Sequence, residues 1–166
     1  IMSIFAMGCS LVWTPCTKIP NAESDWTEDE TNLLDDLVRF QCEEGEFNQV
    51  ASLFLAPPHV ALRQLFHFRE YDGSDYTTFS SGALILFFLP YFSLSIATAG
   101  LLVPVGLFVP SLLSGAAFGR LVGHLANQAA PAGSVADSGT YALVGAAAVL
   151  GGVGRMTIAG TVIILE

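Results

Sequence analysis

Gly106-Leu107-Phe108-Val109-Pro110, continued by Ser111-Leu-Leu-Ser-Gly-Ala-Ala-Phe-Gly-Arg120, places a turn signal directly before a helix signal. Glycine permits a tight turn and leaves no side chain in the path of a ligand. Proline fits the first turn of a helix, where its missing N–H is no loss and its fixed φ favours the start. The spacing predicts one helix over Leu107–Leu125, and the amides of Leu107, Phe108 and Val109 then have no partner inside it. No Ser, Thr, Asp or Asn stands among those three residues to cap them, although Ser111 follows. Bare amides at the positive end of a helix dipole make a site for a small anion without any cationic side chain. A helix break needed only for packing is the alternative that these five residues leave open.

The surroundings of this turn belong to a membrane. The chain has 166 residues, of which 52% are hydrophobic and 13% charged, against about 25% charged in soluble domains. Residues 76–119 contain no Asp, Glu, Lys, Arg or His. A spanning helix takes about 20 apolar residues, so this run has room for two segments. The expected fold class is an all-α membrane protein, a polytopic helical bundle with broken and half-spanning helices. Thr78–Thr98 is the first of these helices, bent at Pro90. Gly100, Pro104 and Gly106 then interrupt the apolar run, and irregular backbone at membrane depth marks transport sites between broken helices. Beyond the turn, Ser111, Ser114, Gly115, Ala116, Ala117 and Gly119 offer small side chains for close helix packing in lipid. Ala129–Gly139 reads as a connection. Tyr141–Gly152 and Met156–Leu165 are half-spanning segments divided by Gly151-Gly152-Val153-Gly154-Arg155.

Upstream the composition changes. Residues 1–13 read as the end of a truncated membrane helix, so the sequence reads as an internal piece of a membrane domain. Residues 14–75 form an acidic segment: 13 of the 15 acidic residues fall between Glu23 and Asp75. Cytosolic loops favour Lys and Arg, so this segment is expected in a lumen or outside the cell. Asn21–Asp36 reads as exposed chain. Phe47, Val50, Ala51, Phe54 and Leu55 recur at helical spacing up to Pro57-Pro58, and Val60, Leu62, Leu65 and Phe66 make a second short helix. Both are expected to pack against the membrane helices. Cys16 and Cys42 could pair in an oxidising lumen, but free buried thiols are the favoured reading of the residues alone. His59, His67 and His124 lack metal-ligand spacing, and no nucleophile–base pair or phosphate loop occurs. No enzymatic role, cofactor or metal is therefore expected, and a net charge of −9 argues against nucleic acid as a partner.

Gly106–Pro110 matches the GxFxP signature of the CLC chloride channels and chloride/proton exchangers, and the chain resembles that family from about Phe40 to Glu166, the remainder only by position. The match runs on through Ser111–Gly123 (SLLSGAAFGRLVG) and Tyr141–Glu166 (YALVGAAAVLGGVGRMTIAGTVIILE). Phe40–Phe66 (FQCEEGEFNQVASLFLAPPHVALRQLF) is similar to the eukaryotic intracellular branch, the endosomal and lysosomal members. The resemblance implies an inverted-repeat architecture, of which residues 76–166 are an incomplete second repeat. It implies voltage-gated channel or antiporter activity on chloride or a similar small anion, held midway across the bilayer by helix N-termini including Leu107 and Phe108. It further implies a homodimer, an intracellular membrane (endosomal, lysosomal or vacuolar), and cytosolic CBS domains further along the parent chain. The anion-binding set is thus Gly106, Leu107, Phe108, Val109 and Pro110, with chloride as the only ligand, and the acidic segment offers a place for an accessory subunit. Phe108 reads either as an ordinary apolar ring or as a ring lining the pathway.

Arg120 and Arg155 are expected at membrane interfaces, snorkelling or capping helix C-termini, and not as anion ligands. Glu166 is expected to be a structural carboxylate near a helix end. Gly154 and Ala159-Gly160 replace bulkier residues of the family and predict looser packing there. They keep a second class in view, a non-transporting homologue or assembly subunit.

Overall fold

The computed structural model describes residues 7–8, 16–18, 37–67, 79–100, 106–129, 137–155 and 162. Among them are five helices and a two-stranded ribbon: β1 (Cys16–Lys18), β2 (Glu46–Asn48), α1 (Gln49–Leu55), α2 (Pro58–His67), α3 (Ser81–Ala99), α4 (Phe108–Ala129) and α5 (Ser138–Gly154). Residues 21–36 and 156–161, and nearly all of 1–13, lie outside the described residues, and with them the exposed chain, the second half-spanning segment and the truncated helix expected there.

The acidic segment is folded around Asn48. Its strand β2 pairs antiparallel with β1, with Thr17 opposite Phe47, and Cys16 is disulfide-bonded to Cys42 with 5.8 Å between the Cα atoms. The free-thiol alternative is thereby excluded for this pair. Phe47, which fits the helical period, is a strand residue instead, because Asn48 stops the ribbon and starts α1. The Asn48 side-chain oxygen accepts from the amides of Val50 and Ala51 at 3.0 and 3.1 Å, a side-chain N-cap. Its amide nitrogen donates to the Phe40 carbonyl at 3.3 Å. One turn on, Ser52 Oγ donates to the Asn48 carbonyl and accepts from the Val38 amide. Helix α2 opens with Pro58 at its first position, where the ring is tolerated; the Pro57 carbonyl accepts from Val60 and Ala61.

These short helices pack on the long ones, as their apolar faces predict. The buried cluster joins Phe47 and Leu53, Ala61 and Leu65 of α2, Leu84 and Phe87 of α3, Leu113, Ala116 and Ala117 of α4, and Ala142 and Ala146 of α5. Gln49 ties the ribbon to the head of α3: its Nε2 donates to Thr17 Oγ1 at 2.5 Å while its Oε1 accepts from the Ser80 amide at 2.8 Å. A ring contact between Phe54 and Phe87, 4.8 Å apart, continues the seam.

Among the described residues α3 alone is both long and apolar enough to cross a bilayer. It runs unbroken through Pro90 and turns an apolar face outward with Ile85, Leu89 and Ile96. Helix α4 begins at Phe108 and extends to Ala129, past the expected Leu125. Helix α5 continues through Gly151, Gly152 and Gly154 and ends at Arg155, a left-handed cap with φ 50°. The helix thus runs two residues past the expected Gly152 and stops within the Gly151–Arg155 stretch; a helical glycine costs only about 1 kcal/mol, less than unpaired peptide groups in a membrane.

Helices α4 and α5 run antiparallel with their backbones in contact. A Cβ on Gly115 would stand 2.6 Å from the Gly145 carbonyl; one on Gly119 would overlap the Tyr141 carbonyl; one on Gly123 would be 3.1 Å from Tyr141 Cβ. The three glycines at intervals of four make one stripe, the small-residue device for close approach in lipid. Gly123 belongs to it as fully as the expected Gly115 and Gly119.

Candidate anion-binding site

The site is the start of α4. Leu107 stands just before the helix, and its carbonyl accepts the first helical bond, from the Ser111 amide at 3.1 Å. Phe108 and Val109 are then the first two helical residues, and Pro110 is the third. Position three normally carries an orphan donor, so proline removes a group that the helix could not have paired. What remains is a pair of amides, on Phe108 and Val109, for which no acceptor stands among the described residues.

Nearby hydroxyls do not fill that role. Ser111 Oγ donates back to the Phe108 carbonyl at 2.8 Å, and Ser114 Oγ donates to the Pro110 and Ser111 carbonyls at 2.8 and 3.1 Å. Both turn along the helix, away from its first amides. No acidic residue occupies the first turn, so no carboxylate of that turn neutralises the positive end of the dipole. The nearest cation along the helix is Arg120, about 18 Å away at 1.5 Å per residue.

Gly106 keeps the approach open. Its φ is not in the left-handed region, so the turn itself does not demand glycine; what it supplies is space, with no atom within 4 Å of where a Cβ would point. Phe108 is 43% exposed and Val109 is also exposed, while Leu107 and Pro110 are half-buried. The ring of Phe108 is thus not a core ring of the described chain. All five predicted residues lie together because they are consecutive, and among the described residues no distant side chain is hydrogen-bonded to them.

Arg120 departs from expectation in one respect. It does cap a helix C-terminus, that of α2, but it is fully buried and does not snorkel to an interface. Arg155 is exposed at the end of α5, and His59 is exposed on α2.

The comparisons with known proteins cover nearly the whole chain. The family model for the voltage gated chloride channel matches residues 5–166. H(+)/Cl(-) exchange transporter 7 of Homo sapiens is 46% identical over 125 residues, which are 75% of this chain and 15% of that protein. Chloride channel protein CLC-c of Arabidopsis thaliana is 40% identical over 127 residues, 76% of this chain and 15% of the relative. Chloride channel protein A of Dictyostelium discoideum is 40% identical over 132 residues, 80% and 14% of the two chains. The chain therefore spans about 15% of the length of the curated relatives it matches. On the extent of these matches and on its helical fold, it belongs to the voltage-gated chloride channel family.

Proposed function

We propose that this chain supplies one wall of a chloride pathway in a membrane transporter or channel, with the anion held by the α4 start. The observation that carries the reading is the amide pair of Phe108 and Val109, which meets no acceptor among the described residues, with no atom within 4 Å of a Cβ on Gly106 and no carboxylate in the first turn. A partly dehydrated halide accepts such N–H bonds, and without a fixed counter-charge it is held weakly enough to leave again. Anion preference then follows from dipole orientation. The names of the relatives, an H(+)/Cl(-) exchange transporter and chloride channel proteins, support chloride as the ion. No finding favours the non-transporting alternative, and the role is not enzymatic.

The acidic segment belongs on the luminal side of an intracellular membrane. Its disulfide supports that side, because such bonds persist in oxidising compartments. Residues 14–75 then form a luminal cap and 76–166 the membrane part. The complete protein works as a homodimer in the bilayer, with the cap available to an accessory subunit.

Leu107→Asp tests the site. A carboxylate at the N-cap would accept from the Val109 amide and take the place of the halide. In the complete protein reconstituted in vesicles, chloride flux should fall about tenfold or more through this tethered competitor. Wild-type flux in a folded Leu107→Asp protein would reject the reading.

A further inference from the structure

Helix α2 ends against two other helices at once. The carbonyls of its last turn have no partner within the helix. Arg120 takes two of them: Nη1 donates to the Leu65 carbonyl at 2.7 Å and to that of Gln64 at 3.5 Å. The Phe66 carbonyl lies against Gly139 in the first turn of α5, so closely that any Cβ at 139 would overlap it. The negative end of α2 thus meets a cation and the positive end of another helix.

Arg120 is 0% exposed, with its guanidinium 5.5 Å from the centre of the Phe79 ring. A buried guanidinium is tolerated only while its hydrogen bonds are made, so its geometry is held firmly. Helix α4 can neither slide nor rotate at this level without breaking the bonds to Gln64 and Leu65. The helix is continuous from Arg120 back to Phe108, and about 18 Å of regular helix transmits its position to the first turn. The glycine stripe holds α5 against α4 with their backbones in contact, so a shift of one helix along the other meets the packing of both.

We infer that Arg120 is a positioning residue for the anion: by fastening the C-terminus of α2, it sets the axial position of α4 and so where the amides of Phe108 and Val109 stand. The inference rests on the proposed anion site at the α4 start. It goes beyond it by making the acidic segment a determinant of ion selectivity, through a residue that never touches the ion.

The test uses the complete protein in vesicles and reads the ratio of nitrate to chloride flux, which a loss of folded protein alone does not change. Arg120→Lys, Arg120→Gln and Gly139→Ala perturb the junction, and Leu107→Asp blocks the amides of the site itself. Arg120→Gln and Gly139→Ala should each shift the ratio about threefold or more, the scale of coupling through packed networks. Arg120→Lys should lie nearer the wild type, because an ammonium still donates to the Leu65 carbonyl. An unchanged ratio in folded Arg120→Gln and Gly139→Ala proteins, with chloride flux lost in Leu107→Asp, overturns the inference and leaves the site standing. Wild-type flux in folded Leu107→Asp as well shows that the site reading itself has failed. If all three junction variants fail to fold, the inference is overturned too, since the contact then has no effect on the ion separable from folding.

Discussion

The start of α1 and the start of α4 are two helix N-termini of one chain, treated in opposite ways. At α1 a buried Asn48 accepts from two amides and spends its remaining donor on the Phe40 carbonyl. At α4 the residues before the helix are Gly106 and Leu107, and the amides of Phe108 and Val109 meet no acceptor among the described residues. The start of α5 has no side-chain cap either, but there the Phe66 carbonyl lies where a Cβ on Gly139 would stand, so that start is crowded by another helix. Orphan donors are a general cost of helix starts, and α3 and α5 also begin without a side-chain cap. What sets the α4 start apart is the combination of two amides without an acceptor among the described residues, a proline that removes the third donor, and no atom within 4 Å of a Cβ on Gly106, and that combination points to an exchangeable partner.

The same substitution should therefore behave differently in the two kinds of region. The largest effect is expected at the closed α4–α5 seam. Gly119→Ala places a methyl group on the Tyr141 carbonyl, a backbone atom that cannot rotate away. The helices must part, and overpacking of this kind costs about 3 kcal/mol. Thermal unfolding of the detergent-solubilised protein should show a clearly lowered midpoint. An unchanged midpoint would mean that α4 and α5 lie farther apart than their backbones indicate.

A smaller loss is expected at the capped start. Asn48→Ala removes the acceptor of two buried amides and the donor to Phe40 together. Loss of a side-chain cap in a buried setting costs about 2 kcal/mol. The same unfolding measurement reads it, and chloride flux per folded molecule should hold, because no ion is handled there. A flux defect in this variant without a stability loss would blur the contrast between the two helix starts.

What the sequence made legible follows the range of the physics involved. The α4 start is local: a glycine, a proline four residues on and no capping side chain between them, all visible in five consecutive letters. The short helices α1 and α2 were legible for the same reason, from apolar spacing and the stop at Pro57-Pro58. Arg120 was half legible. A lone arginine in an apolar helix suggests helix capping or an interface, but its acceptors are main-chain carbonyls 55 and 56 residues away, and carbonyls leave no mark in a sequence. The ribbon was hidden because each strand has three residues and Phe47 satisfies the helical period of α1 as well as the strand. The end of α5 was expected two residues early, at Gly152, because Gly151, Gly152 and Gly154 look like a break. The helix runs to Gly154 and is capped by Arg155, the last residue of that stretch, in a left-handed conformation more usual for glycine.

The smallest structural effect is expected at the open start, and it separates stability from function most cleanly. Gly106→Ala adds a methyl group where nothing stands within 4 Å, at a φ that any residue adopts. Stability should change by no more than about 0.5 kcal/mol, as for an ordinary exposed position. Yet the methyl group enters the space through which an anion would reach the amides of Phe108 and Val109, so chloride flux should fall about threefold or more, on the premise that conduction depends on close passage. A drop in flux at constant unfolding midpoint is what a ligand site predicts and a packing break does not. Were flux and midpoint both unchanged, the free space before Gly106 would have no bearing on the ion. The open α4 start would then differ from the capped one by accident of packing alone.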